Sequence, residues 1–145
     1  MKISVKCRYA VRMMVDIAIH NTGKCVALKD ISKRQNISVK YLEQVVGPLT
    51  AVGYLKSVRG PQGGYMLPAN AETISIGDIV RVMEGGICQV PCADGNAENC
   101  ERYDICEVRA MWEGLHRVAS EYLDGITLND LVQKNRHTIR DDYSI

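Results

Sequence analysis

Four of the chain's six cysteines fall between residues 88 and 106, in the stretch CQVPCADGNAENCERYDIC. Thiols this close together form disulfides, switch reversibly between thiol and disulfide, or, as thiolates, hold zinc or an iron–sulfur cluster. Structural zinc sites favour paired C-x2-C or C-x4-C knuckles. The spacings here are C-x3-C, C-x7-C and C-x5-C, which fit that pattern poorly. The other two thiols stand apart: Cys7 in the first segment, and Cys25 beside the strand-like CVAL. Cys25 reads as a small buried hydrophobe.

Which of these chemistries applies depends on the surroundings. The chain has 145 residues, 46% hydrophobic and 24% charged, enough for one compact domain or a small domain with an appendage. With no Phe and one Trp, its core must rest on Leu, Ile, Val, Met and Ala. The N-terminal stretch is interrupted by Lys6, Arg8, Arg12 and Asp16 and has no small-residue cleavage site, unlike a signal peptide. No run reaches the length of a membrane span. A cytoplasmic location is therefore expected, where stable disulfides are uncommon. Residues 1–70 carry eleven Lys or Arg against three Asp or Glu, a balance of +8; residues 71–145 carry seven against fourteen, a balance of −7. A basic half suits a polyanionic partner.

The elements that position these residues follow from periodicity. Tyr9, Ala10, Met13, Met14, Ile17 and Ala18 predict a helix over about Val5 to Ile19. Leu28 and Ile31 mark a short helix, RQNIS a tight turn, and Ser38 the cap of a further helix buried through Leu42, Val45, Val46 and Leu49. Lys40, Tyr41, Glu43, Gln44 and Thr50 then point outward. Pro48 falls inside this helix, where it bends the axis or sits where a lost N–H is tolerated. The pair reads as a helix-turn-helix. Leu55 to Arg59 alternates as a strand does, GPQGG turns, and YML returns, so a wing follows. Arg59 sits at its base and Gly60, Gly63 and Gly64 at its tip, where glycine lets backbone approach a phosphate. A helix capped by Ser75 and buried through Ile79, Val80 and Met83 leads to the cysteine stretch.

After the cysteines, Ile105, Val108, Trp112, Leu115, Ala119 and Tyr122 are spaced 3, 4, 3, 4, 3. They predict a helix from about Asp104 to Leu123 with a seam for a two-fold partner. Met111 and Val118 widen that seam on one side. Thr127 caps a short last helix, and the tail from Arg136 shows no pattern and reads as mobile. The expected organisation is a winged helix-turn-helix over 1–85, a cysteine loop over 86–104, dimerisation and short C-terminal helices over 105–135, and a tail over 136–145. The fold class is mainly α with a small β-hairpin wing. No nucleophile–base pair, phosphate loop or carboxylate pair points to an enzyme.

The segments MKISVKCRYAVRMMVDIA, ISVKYLEQVVGPLTAVGYLKSVRGPQGGY, GDIVRVMEG, MWEGL and ITLNDLV resemble the IscR/NsrR/CymR-type winged-helix transcription regulators of bacteria over nearly the whole chain. The resemblance implies a homodimer on pseudo-palindromic double-stranded DNA. Ser38, Lys40, Tyr41, Glu43 and Gln44 match the family's recognition surface, and Arg59 with the glycine turn matches its minor-groove wing. Phosphate contacts are expected from Lys56, Arg59, Lys2, Arg8 and Lys33.

One branch of this family holds an iron–sulfur cluster, 2Fe-2S or 4Fe-4S, on three loop cysteines, which Cys92, Cys100 and Cys106 match by position. The first gap is two residues longer than in the iron–sulfur regulator. The family's fourth ligands, a His after the last Cys or an Asp in the partner's first helix, correspond here to Arg109 and Arg8. Cys7 from the partner subunit or Cys88 are the substitutes, with Glu107 and Glu101 behind. The resemblance implies a regulator that senses iron–sulfur status, redox state or nitric oxide. Two other readings stay open: a cluster-free regulator of the cysteine-metabolism type, working by thiol switch or protein partner, and an iron–sulfur or redox carrier using the fold as scaffold.

Overall fold

A computed structural model describes the backbone of residues 2–88, 90–95 and 100–142 and the side chains up to residue 139. The chain runs α1 (Val5–His20), α2 (Leu28–Gln35), α3 (Val39–Ala51), β1 (Lys56–Val58), β2 (Gly64–Met66), α4 (Ile76–Glu84), α5 (Arg109–Asp124) and α6 (Leu128–Asp142). This is a winged helix-turn-helix with helical additions. No helix among the described residues is long and apolar enough to cross a membrane.

Side chains cap the starts of α1, α3, α4 and α6, while α2 and α5 begin without one. Ser4 Oγ accepts from the Cys7 N–H at 3.0 Å and caps α1. Ser38 does the same for α3 through the Tyr41 N–H. Ser75 and Asp78 cap each other's backbone N–H at α4, a capping box. Thr127 and Asp130 repeat that reciprocal pair at α6. Pro48 leaves α3 continuous; the carbonyl it deprives belongs to Gln44, on the exposed side.

The core forms where α1, α3 and α4 bury Ala10, Met13, Met14, Ile17, Leu42, Val45, Leu49 and Ile79 completely. Residues 1–85 do not close it alone: Leu128 of α6 enters the same core. Backbone bonds from Ile76 N–H to Ile126 O (2.8 Å) and from Leu128 N–H to Ile74 O (3.0 Å) stitch the starts of α4 and α6 together. Arg81 adds two hydrogen bonds of 2.7 Å to the Asp124 carboxylate at the end of α5.

β1 pairs antiparallel with β2 in the register Lys56↔Met66, Ser57↔Tyr65, Val58↔Gly64. Val26 joins the sheet from the other side, exchanging both backbone bonds with Tyr65 at 2.7 and 2.9 Å. Cys25, expected to be buried, is instead half-exposed, because the Val26 bridge carries it to the wing, where its thiol donates to Gln62 O at 3.1 Å.

Two C-terminal expectations change. The predicted helix from Asp104 starts only at Arg109: Tyr103–Ile105 form a 3-10 turn, Cys106 is extended, and Val108 is the N-cap. Ile105 and Val108 therefore precede the helix. The last helix is not short. Its backbone stays helical to Asp142, through much of the tail expected to be mobile; residues 143–145 lie outside the described residues.

One buried charge ties the helices together. Asp16 on α1 is 2% exposed. It accepts from Arg34 Nη2 (2.6 Å) and Nε (3.1 and 3.2 Å) and from Gln35 Nε2 (2.9 Å), all from the last turn of α2. Burial pushes the Asp16 carboxyl up, and the bonds from Arg34 and Gln35 outweigh this and hold it below its ordinary value of 3.8. The carboxylate's stabilising effect is therefore fully present above that ordinary value and is lost as pH falls through the lowered one. Replacing Asp16 by Ala strands the donors of Arg34 and Gln35 and is expected to cost about 2–3 kcal/mol in urea unfolding at neutral pH. The variant's stability should also vary less than that of the parent as pH falls through the carboxylate range.

Candidate functional site

The outward side of α3 carries the expected recognition residues. Ser38, Lys40, Glu43 and Gln44 are exposed. Tyr41 is only half so: its ring meets Tyr9 of α1 edge-on, with centroids 5.3 Å apart. Arg12 lies over the other ring of that pair, 5.5 Å from the Tyr9 centroid. Tyr41 thus serves packing as well as any contact with a ligand. The signal for this was the i, i+3 spacing of Tyr9 and Arg12 on one helix, which the sequence reading left unused.

The wing presents exposed Lys56, Arg59 and Gly60. Gly63 and Gly64 are also required by the wing itself. A Cβ on Gly63 would lie 2.3 Å from Val58 O, and one on Gly64 2.4 Å from Val26 O. These two glycines close the wing upon its own backbone. Gly60 has φ +116 and nothing within 4 Å of a built Cβ, so it faces open space. Lys33 is exposed on α2. Arg8 is exposed too, but it borders an apolar groove between α1, α4 and α5. A row of exposed donors and cations on α2, α3 and the wing can bond phosphate oxygens and base edges.

The second candidate site is the cysteine loop. Pro91–Asp94 form a 3-10 turn that packs along α5. Cys92 lies in it, half-buried like Cys88 and Cys106, while Cys100 is exposed; all six thiols are free. Residues 96–99 of the C-x7-C gap lie outside the described residues. Among the described residues, no group of three or more His, Cys, Asp or Glu is gathered tightly enough to hold a metal ion. The donor set thus fits a cluster by type and by accessibility, although among the described residues the thiols are not gathered into one group.

Arg109, at the position where the resemblance expects a His, ties the loop to α5. Its Nη1 donates to Tyr103 O at 2.8 Å, its guanidinium lies 4.5 Å from the Tyr103 ring centroid, and its Nε is 3.3 Å from Glu113 Oε1. Glu107 pairs with Arg102 at 3.5 Å, and Glu101 is exposed. Cys7 is fully buried. Burial, then the neighbouring Glu84 carboxylate, pushes its thiol up to about 11. It is held as a neutral thiol, whereas a ligand must be a thiolate.

Beside the loop, α5 buries no residue completely. Ala119 and Leu123 pack against the core. Leu115 and Tyr122 of the expected seam are exposed, together with Met111 and Val118, so the free apolar stripe runs 111, 115, 118, 122. Trp112 is half-buried and Ala119 faces inward. The seam read from the sequence is therefore divided between the core and the surface.

Residues 3–134 match the family model Rrf2, described as an iron-dependent transcriptional regulator. The protein rrf2 of Nitratidesulfovibrio vulgaris is 39% identical over 133 residues, covering 92% of this chain and 88% of the relative. The HTH-type transcriptional regulator IscR of Vibrio vulnificus is 40% identical over 135 residues, 93% of this chain and 79% of the relative. Among solved structures, the global cysteine regulator CymR of B. subtilis superposes with a TM-score of 0.77 at 37% identity, covering 92% of this chain and 98% of that one. The IscR of T. potens follows at 0.75 and 37%, covering 93% and 88%. By family match, identity and fold this chain belongs to the Rrf2 family of transcription regulators.

Proposed function

We propose that the protein is a homodimeric, cytoplasmic regulator that binds a pseudo-palindromic duplex and whose binding is controlled by an iron–sulfur cluster, of 2Fe-2S type, on Cys92, Cys100 and Cys106. The observation that carries the DNA-binding part is the exposed polar face of α3 beside a wing with exposed Lys56 and Arg59, all in the basic half of the chain. Support for the dimer is the unpartnered stripe Met111, Leu115, Val118 and Tyr122. Two α3 helices on one two-fold axis then read two half-sites about one helical turn apart.

Support for the cluster is the family's description as iron-dependent and the similarity to regulators named IscR. For the fourth ligand, half-buried Cys88 suits better than the partner subunit's Cys7, because each Cys7 is fully buried within its own chain. A cluster supplies a centre whose stability responds to redox state and to competing ligands. The chain's own part is mechanical. The Pro91–Asp94 turn of the loop packs along α5, α5 carries the dimer stripe, and Arg81–Asp124 joins its end to α4. A change in the loop thereby shifts the spacing of the two recognition helices between two dimer geometries.

Anaerobically purified protein should be coloured and contain iron and sulfide. Cys92→Ala, Cys100→Ala, Cys106→Ala and Cys88→Ala should each lose the spectrum, and Cys7→Ala should keep it. Colourless, iron-free protein that still selects one duplex would sink the cluster and favour a thiol switch. In binding isotherms against salt, Arg59→Ala should weaken all duplexes alike and make the slope shallower by about one. Gln44→Ala should instead cost about 1–3 kcal/mol on the preferred duplex and relax its sequence preference. Leu115→Glu should yield folded monomers in sedimentation equilibrium; an unchanged dimer would place the interface elsewhere.

A further inference from the structure

Arg12 is not among the residues expected to touch DNA, yet it holds both sides of the helix-turn-helix turn. On one side, its Nε donates to Gln35 Oε1 at 3.2 Å and its Nη2 donates to the Gln35 carbonyl. Gln35 is the last residue of α2. Its carbonyl is one of the four that a helix end leaves without an internal partner, and a cation there also suits the helix dipole. On the other side, the Arg12 guanidinium covers the Tyr9 ring, which in turn meets Tyr41 edge-on in the first turn of α3. Between Gln35 and Tyr41 lie only the turn residue Asn36, in the left-handed conformation at φ 53, then Ile37, the cap Ser38, Val39 and Lys40.

Gln35 is anchored a second time, by its Nε2 on Asp16 Oδ2 at 2.9 Å. The end of α2 is thus fixed to α1 by two side chains one helical turn apart, Arg12 and Asp16. The two do different things. Asp16 is buried and its bonds are those of the fold; Arg12 is exposed, so its loss leaves the core intact. What changes is the freedom of α3 to rock about the turn, which moves Ser38, Lys40, Glu43 and Gln44 together.

We propose that Arg12 is a positioning residue for sequence recognition: it aligns α3 through Gln35 on one side and through Tyr9 and Tyr41 on the other. This rests on the DNA-binding reading above. A lysine does not replace it, because an ammonium lacks the planar fork that bonds Gln35 twice and lies flat on a ring.

The test uses full-length protein and two duplexes. One is selected by the parent protein from a random library; the other is a scramble of equal length and composition. Affinity for both is measured as a function of salt for the parent, Arg12→Ala, Arg12→Lys and Tyr9→Leu, with thermal unfolding of each. The expected result is a loss of about tenfold on the selected duplex, comparable to one misplaced base contact. It should appear in all three variants, with scrambled-duplex affinity and salt slope unchanged. Tyr9→Leu keeps the Gln35 bonds and carries the test alone if Arg12→Ala does not fold.

Two results overturn the proposal. If affinity for both duplexes falls together, the slope becomes shallower by about one and Arg12→Lys restores binding, then Arg12 contacts phosphate directly. If the variants are less stable yet bind the selected duplex as tightly as the parent, Arg12 only supports the fold. A parent protein that selects no duplex removes the DNA-binding reading itself, and this proposal falls with it.

Discussion

A carboxylate sealed from water must find donors or give up its charge. Asp16 keeps its charge by taking three nitrogens from the end of α2, two of Arg34 and one of Gln35. That single requirement sets where α2 ends against α1, and hence where the turn begins and from which point α3 departs. The hydrophobic stripe of α3 makes it pack, but a stripe of Leu, Val and Leu is tolerant of small rotations. Directed bonds are less tolerant. The departure point of α3 is therefore set by polar contacts of the helix before it, and its packing by the apolar ones beneath it.

How legible this was in the sequence varied with the range of the interaction. α1, α3 and the wing were readable because their signals are local: serine caps, apolar residues one turn apart, and glycines between two short strands. Pro48 inside α3 leaves the helix continuous, since the bond it removes belongs to Gln44, an exposed residue. Asp16, by contrast, looked like one more charge interrupting an apolar segment. Its partners lie eighteen and nineteen positions away, and no local pattern announces them. The same holds for Cys25, whose place on the wing depends on the pairing of Val26 with Tyr65.

The C-terminal half was harder for a further reason. The spacing from Ile105 to Tyr122 is a good heptad, but heptads say which residues share a face, and not where the helix begins. The extended Cys106 removes Ile105 and Val108 from the helix. The rest of the seam then divides, because α5 has two jobs: Ala119 and Leu123 hold it to its own core, and the stripe from Met111 to Tyr122 remains free. The cysteines are plain in the sequence, but no spacing rule says how they are arranged, and among the described residues they form no gathered group.

The stitch between Ile74–Ile76 and Ile126–Leu128 has a consequence for how such chains diversify. The chain leaves the core only after α4 and returns to it along α5, with Arg81 and Asp124 as a second clasp. The cysteine loop is the far end of this excursion, so residues added or lost there do not rethread the core. Doubling the length of a flexible loop costs only about 0.6 kcal/mol. A C-x7-C gap between Cys92 and Cys100 is therefore a cheap variation. The scaffold can therefore take changes of length in this loop while the stitched core stays in place.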